Sequence, residues 1–170
     1  GAFHYVGVRF LPSTFPLLFG QDAFEISAQE IPLREVVPAL ATFITQQLET
    51  PLSLATIAQR FDNYFLRHLS QHSLQMDNRF FSALLQILQS KGSIHISELD
   101  TGISTRQLRR LFDYYIGDSP KTFSNIVRFQ HILSAKAYHN HSFLDTYYDQ
   151  AHFIKSFKTF YGDTPSKVLG

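Results

Sequence analysis

The chain has 170 residues, 44% of them hydrophobic and 17% charged, a composition typical of a folded globular protein and not of a disordered one. It has no cysteine, which excludes disulfides, thiolate zinc sites and cysteine nucleophiles and favours a reducing cytoplasm as its compartment. The net charge of +1 divides unevenly: residues 1–90 carry five Lys/Arg and seven Asp/Glu, residues 91–170 carry ten and seven, so the second half is the better partner for a polyanion.

The first 33 residues have the pattern of short strands joined by turns. Aromatic and β-branched residues cluster near the start, and prolines and a glycine punctuate the rest: Phe3, Tyr5, Val6, Val8, Phe10, then Pro12, Pro16, Gly20 and Pro32. The sequence therefore predicts a short β-rich segment over residues 1–33. No apolar run reaches the roughly 18 residues that a membrane span needs, so we expect no membrane partner.

Three runs with helical spacing of apolar residues follow. They extend from Arg34 to Leu48, from Leu52 to about Leu74, and from Asp77 to Ser90. The first two predict a helical hairpin, which we interpret as a linker or a dimerisation element over residues 34–76. In the third, Asp77 is the predicted N-cap and Gly92 the stop. Their phenylalanine stripes favour a packed core, and a ligand-binding domain over residues 1–90 remains an alternative.

The last third of the chain contains an internal repeat with an offset of 45 residues. The matched pairs are Ser104 and Asp149, Leu108 and Phe153, Arg110 and Lys155, Phe112 and Phe157, Tyr115 and Phe160, Gly117 and Gly162, Asp118 and Asp163, Ser119 and Thr164, Pro120 and Pro165. In each copy the first residue is a good N-cap, the glycine permits a left-handed C-cap, and the proline suits the first position of a following helix. The repeat predicts two equal helical units, over about 93–123 and 139–168.

The first helix of each unit has an apolar back and a polar front. Leu108, Leu111, Phe112 and Tyr115 oppose Arg106, Arg109, Arg110 and Asp113 in one copy, and Phe153, Phe157 and Phe160 oppose His152, Lys155, Ser156 and Thr159 in the other. A front of this kind suits the DNA major groove, where Arg contacts guanine and Gln contacts adenine. Gly102-Ile103 before the first copy has the character of the tight turn in a helix-turn-helix.

These residues resemble the signature of the AraC/XylS family of transcription regulators. The resemblance covers about residues 77–170 and rests on the segments Thr105–Phe112, Gly117–Phe123, Val127–Gln130, Tyr147–Ile154 and Phe157-Lys158. It implies a mainly α fold in which two helix-turn-helix subdomains are joined by a long linking helix, from Lys121 to about Tyr138. Residues 4–20 resemble, more loosely, the tail of the N-terminal sensor or dimerisation region in one branch of the family. Residues 1–33 are then its remnant.

The resemblance also implies which residues contact double-stranded DNA. The candidates for base contacts are Thr105, Arg106, Gln107, Arg109 and Arg110 in the first unit and Gln150, His152 and Lys155 in the second. Lys121, Arg128 and Lys158 are weaker candidates for contacts with phosphates, which position a protein without reading sequence. The resemblance further implies a small-molecule effector bound through the missing N-terminal region and a homodimer through residues 34–76. It places the chain with transcription activators, although the sequence does not separate activation from repression.

One departure from the family pattern concerns the helix before each reading helix. The family has Leu-Ala, three residues and then Gly, whereas Leu99–Gly102 is shorter and Leu144–Tyr147 lacks the turn glycine. The sequence therefore predicts truncated supporting helices, through divergence or through residues missing from the chain. The alternative function is a protein-interaction or dimerisation module related to these regulators, with weak or lost DNA binding.

Chemistry of other kinds finds little support. His139-Asn140-His141 has no carboxylate-rich partner stretch, so we expect a loop and no metal site. The chain has no glycine-rich phosphate loop, nucleophile elbow or metalloprotease motif. We therefore expect a protein that is not an enzyme and needs no cofactor.

Overall fold

The computed structural model describes residues 6–48, 52–133 and 150–168, and this part of the chain is mainly helical, without strands. The helices are α1 Thr14–Phe19, α2 Ala23–Ile26, α3 Leu33–Val36, α4 Pro38–Gln47, α5 Leu54–Gln71, α6 Asn78–Gln89, the 3-10 turn Ile96–Glu98, α7 Thr105–Ile116, α8 Pro120–Leu133, α9 Gln150–Tyr161 and α10 Pro165–Val168. None of these helices combines the length and hydropathy that a membrane crossing requires.

The chain divides into two compact units. The first comprises the residues up to Asp77 together with Leu111–Gly117, and the second comprises Asn78–Arg110 together with the residues from Asp118 onward. Helix α7 therefore belongs to both units: its first half, up to Arg110, lies in the second unit, and its second half, from Leu111, lies in the first. The sequence predicts a different division, by function, into residues 1–33, 34–76 and 77–170, and this division stays a prediction.

The strands predicted for residues 1–33 are corrected in the described part, residues 6–33, which holds α1 and α2 instead. The ends of both helices are specified locally. Gly20 adopts φ +66° and donates its N–H to the carbonyl of Pro16 at 2.8 Å, and the side chain of Asp22 accepts from the N–H of Phe24 at 2.9 Å. A C-cap glycine and an N-cap aspartate are helix signals that the prolines and aromatics obscured.

Aromatic rings hold the first unit together. Phe15 and Phe19, one turn apart on α1, have ring centroids 5.0 Å apart, and Phe10 packs against both. Phe10 also meets Phe65 of α5 edge-on at 5.8 Å. Between α4 and α5, Phe43 lies 5.6 Å from Phe61. A single short strand has no neighbouring strand to pair with its backbone N–H and C=O groups. A short helix forms these hydrogen bonds within itself, and its rings can still pack on α5.

The helix predicted from Arg34 to Leu48 is broken into α3 and α4 at Val37. Val37 has φ −135° and ψ 77° because a residue before proline is disfavoured in the helical region, and Pro38 then starts α4. Helix α5 begins at Leu54, two residues after the predicted start, and the hydroxyl oxygen of Ser53 caps it by accepting from the N–H of Thr56 at 3.1 Å.

In the second unit, α8 contacts both α6 and α9. The buried side chains of this unit are mostly aromatic and aliphatic: Phe80, Ala83, Leu84, Ile87, Leu108, Phe123, Phe129, Phe153 and Phe157. Phe129 of α8 lies 5.4 Å from Phe157 of α9, and Phe153 and Leu133 complete that cluster. Burial of such rings is the main stabilising contribution to this packing.

Candidate nucleic-acid interface

The start of α7 carries a capping box. The N–H of Gln107 donates to the hydroxyl oxygen of Ser104 at 3.3 Å, and the side-chain oxygen of Gln107 accepts from the N–H of Ser104 at 3.1 Å and from its hydroxyl at 3.0 Å. Two backbone donors at the helix N-terminus are satisfied in this way. The predicted N-cap at Ser104 is confirmed, and the helix begins at Thr105.

The polar front of α7 is exposed. Thr105, Arg106, Gln107, Arg109 and Arg110 all lie at the surface, whereas Leu108 and Phe112 are buried at 3% and 0% exposure. No acidic residue occupies the first turn, so the positive end of the helix dipole adds to the arginine charges there. The result is a basic helix face that is open to an anionic partner.

Gln107 is less available for base reading than the sequence alone indicates. A bidentate contact with adenine uses both the oxygen and the nitrogen of the amide. The oxygen of Gln107 already accepts two hydrogen bonds within the cap. Gln107, one of the five predicted base contacts in the first copy of the repeat, therefore has an intramolecular role. The S-x-x-Q pattern signals this role, and the sequence analysis missed it.

Helix α9 repeats α7 with the same offset at both ends. Each helix has 12 residues, and Gln150–Tyr161 follows Thr105–Ile116 by 45 positions. Lys155 and Lys158 are exposed on α9, as Arg110 is on α7. Phe153 and Phe157 are buried at 2% and 0% exposure, matching Leu108 and Phe112. The side chains of Gln150 and His152 lie outside the described part of the chain.

The end of each copy is also the same. Gly117 and Gly162 adopt φ +82° and +88°. In the following turn the aspartate side chain accepts from the next N–H, at 2.5 Å from Ser119 to Asp118 and at 2.8 Å from Thr164 to Asp163. Pro120 and Pro165 then open the next helices, α8 and α10. At the aligned ring position Tyr115/Phe160 the exposure differs, since Tyr115 is 9% exposed and Phe160 is 38% exposed.

The element before α7 is a single 3-10 turn, Ile96–Glu98, followed by Gly102 at φ +67°. The supporting element before α7, in the first copy of the repeat, is therefore short, as the sequence predicts. Its 3-10 turn is held by a second capping box, in which the N–H of His95 donates to a carboxylate oxygen of Glu98 at 3.2 Å. The corresponding stretch of the second copy of the repeat, residues 139–149, lies outside the described residues.

The three candidate phosphate contacts differ in their surroundings. Lys121 and Lys158 are exposed, at the start of α8 and on α9. Arg128 is half-buried, and its Nε and Nη2 donate to the carbonyl oxygen of Gly92 at 3.1 and 2.5 Å. Arg128 therefore has a structural role in joining α8 to the end of α6, which nothing in the sequence indicates because the two residues are 36 positions apart.

The back of α7 includes one tyrosine with a shifted acidity. Burial raises the pKa of Tyr115, and the nearby Tyr114 and the charge of Asp77 act in the same direction. A backbone hydrogen bond of Asp77 acts in the opposite direction and is outweighed. The phenol therefore belongs to the neutral packing layer behind the basic face.

Within residues 6–48, 52–133 and 150–168, no group of three or more His, Cys, Asp or Glu side chains is arranged to hold a metal ion. The motif His139-Asn140-His141 lies outside these ranges.

No family model and no solved structure matches the chain. Among known proteins, it is similar to a protein of Haemophilus influenzae named as an uncharacterized HTH-type transcriptional regulator. The two are 25% identical over 187 residues, a stretch that takes in 98% of this chain and 60% of that protein. The chain thus spans about three fifths of the length of the relative that it matches.

Proposed function

We propose that the chain is a sequence-specific, DNA-binding transcription regulator of the AraC/XylS type that acts in the cytoplasm. The single observation that carries the proposal is the duplicated pair of helices α7 and α9. Both have 12 residues, both bury an aromatic ring at the same position, and both expose a cation at the aligned positions Arg110 and Lys155. The name of the similar Haemophilus influenzae protein supports the same class of function.

In this proposal each helix lies in a major groove and presents its polar front to the bases. Arg106 and Arg110 project from the first two turns of α7, where the arginine fork matches the O6 and N7 acceptors of guanine. Lys155 is the matching cation of α9, and the exposed Lys158 supplies phosphate contacts. Two such helices read neighbouring major grooves when they are about one helical turn of DNA, roughly 34 Å, apart.

Selection of a preferred site from a random DNA pool, followed by anisotropy titrations, tests this function. Arg106→Ala is expected to weaken binding to the selected site by roughly 1 to 3 kcal/mol and to relax the preference at one base pair. Arg9→Ala is the matched control, because Arg9 is exposed in the first unit outside the repeat. If the pool yields no enriched sequence, or if Arg106→Ala binds all duplexes like the wild type, direct reading by α7 is rejected.

A second candidate function is a protein-interaction module whose DNA binding is weak or lost. Two observations favour it: the supporting element before α7 is only one 3-10 turn, and α5 exposes Leu54, Leu66 and Leu69 at 74%, 65% and 40%. Homodimerisation through residues 34–76 is the form that it takes. Sedimentation combined with a DNA titration over a salt series separates the two functions, because this module forms dimers and has little salt-dependent affinity for DNA.

The effector site of the regulator belongs to the same proposal. The resemblance to the AraC/XylS family implies a small-molecule effector that acts through an N-terminal region. Residues 4–20, which resemble the tail of that region, include α1, and its Phe19 ring lies 5.3 Å from the ring of His68 in α5. Sedimentation of the chain with and without candidate small molecules tests dimerisation and the response to an effector.

A further inference from the structure

One face of α8 is polar and borders a groove of about 400 Å³ in the second unit. Lys121, Ser124, Asn125 and Arg128 follow one another at intervals of three, one and three residues, which places them on the same side of the helix. The segment Ser93–Ser97 also lines the groove. A volume of this size is in the range of sites for small molecules, roughly 300 to 1,000 Å³.

Ser124 is the most buried polar residue of this lining. It is 4% exposed, and its hydroxyl oxygen is buried without a hydrogen-bond partner. Nearly all buried hydroxyls in proteins are satisfied by protein, by water or by a ligand. A helical serine can usually satisfy itself on the carbonyl four residues earlier, but the Ser124 hydroxyl makes no such bond. The hydroxyl is therefore an unused donor and acceptor beside the groove.

The charge of the lining is positive. Lys121 and Arg128 bring a lysine ammonium and an arginine guanidinium, and His95 brings an imidazole. Among the lining residues that the structure describes there is no Asp or Glu. The carboxylate of Glu98, in the adjoining 3-10 turn, accepts the N–H of His95. Arg128 is held in place by its two bonds to the carbonyl of Gly92. A held guanidinium loses less entropy when it binds an anion.

We propose that this groove binds the phosphate group of a small phosphorylated molecule. A phosphate offers several acceptor oxygens, which suit an ammonium, a guanidinium, hydroxyls and the amide of Asn125 arranged around one space. A rotation of the Ser124 side chain toward the bound group gives its hydroxyl the acceptor that it lacks. Ser124 is buried, which favours a small ligand, whereas a DNA backbone phosphate meets exposed side chains such as Lys121.

The position of the groove connects it to the reading helix. Residues Ser93–Ser97 lead into the 3-10 turn Ile96–Glu98, the element that precedes α7 in the chain. A phosphate bound between this segment and α8 holds that turn against the helix and thereby stabilises the support of the basic face. This consequence rests on the proposed DNA-binding function, whereas binding of the phosphate itself does not.

The test is an NMR titration of the full chain with inorganic phosphate, at an ionic strength held constant with sodium chloride. We expect saturable shifts in the amides of residues 93–97 and 121–125. Lys121→Gln is expected to weaken phosphate binding about tenfold. Ser124→Ala is expected to weaken it as well, while leaving the thermal stability unchanged or raised because a buried unsatisfied hydroxyl is removed. Lys167→Gln is the matched lysine control, since Lys167 is exposed and pairs with Asp163 at 3.2 Å.

The phosphate titration contains no DNA, so its outcome is distinct from that of the proposed function. A separate DNA titration of the same variants completes the test. Equal affinity of wild type, Lys121→Gln and Ser124→Ala overturns the proposal, as do shifts that do not saturate. If phosphate fails to bind and Lys121→Gln lowers only the affinity for DNA, the groove is a backbone contact and the small-molecule site is rejected. If phosphate binds as expected and DNA does not bind, the site stands and the regulator function fails.

Discussion

The guanidinium group of Arg128 donates two hydrogen bonds to the carbonyl oxygen of Gly92, at 3.1 Å from Nε and 2.5 Å from Nη2. Gly92 follows the C-terminus of α6, where backbone carbonyls lack helical partners and the helix dipole is negative. One side chain of α8 therefore satisfies and neutralises the end of α6. This contact gives a structural role to a residue that the sequence offers only as a ligand of DNA phosphates.

Arg128→Ala is expected to lower the free energy of unfolding by about 1.5 to 3 kcal/mol, the range for hydrogen bonds with a charged donor. Arg128→Lys is expected to recover only part of this, because lysine lacks the planar fork. Urea denaturation of both variants measures the effect. Unchanged stability, together with a shallower salt dependence of DNA binding, would assign Arg128 to phosphate contact instead.

Gly92→Ala is expected to cost about 2 to 4 kcal/mol of stability. Gly92 has φ +74°, and an added Cβ would lie 2.2 Å from the carbonyl oxygen of Ser124 and 2.8 Å from the backbone nitrogen of Arg128. Gly102→Ala is the matched control, because Gly102 has φ +67° and open space around the added atom. It should cost only about 1 kcal/mol, and thermal unfolding of the two variants separates the steric clash from the backbone strain.

Ser104→Ala should lower stability by about 1 kcal/mol, because the start of α7 loses its cap. Gln107→Glu keeps an acceptor oxygen at the third helical position, so the capping box and the stability should survive. If Gln107 serves only the cap, the base preference of this glutamate variant also stays that of the wild type. A changed preference at one adenine, seen by repeating the DNA selection, would show that the amide reads a base after all.

Lys158→Ala should weaken DNA binding by a similar factor for all sequences and lower the slope of log affinity against log salt by about 1. Arg110→Ala should instead discriminate among base pairs at one position, at a cost of roughly 1 to 3 kcal/mol. Titrations of selected and mismatched duplexes at several salt concentrations measure both variants. Identical behaviour of the two would contradict the division between base and phosphate contacts.

Alkaline pH should destabilise the chain partly through Tyr115. Burial raises the pKa of Tyr115 above its value in the unfolded chain, so the folded state favours the neutral phenol. The contribution to stability is complete below pH of about 10, the ordinary value, and is lost as the pH rises through the folded pKa. Tyr115→Phe should therefore show a smaller loss of unfolding free energy than the wild type between about pH 9 and 11. Equal losses would place the alkaline sensitivity elsewhere.

The sequence alone was sufficient for the features that depend on neighbouring residues. The 45-residue repeat, the N-cap at Ser104, the left-handed glycine at position 117 and the start of α8 at Pro120 are all found as predicted. Each rests on contacts within about four positions along the chain, so the residue types themselves specify the conformation. The buried and exposed sides of α7 follow from helical spacing for the same reason.

Tertiary structure decided the features that depend on residues distant in sequence. The ring of Phe19 in α1 packs on His68 of α5, and Phe10, just before α1, packs on Phe65 of the same helix. These contacts make short helices favourable where the pattern predicted strands. Helix α8 approaches the end of α6, and two features depend on this approach. They are the hydrogen bonds from Arg128 to the carbonyl of Gly92 and the burial of the Ser124 hydroxyl. A pattern along the chain records spacing but not which groups meet across it, so these roles appear only when the helices are packed.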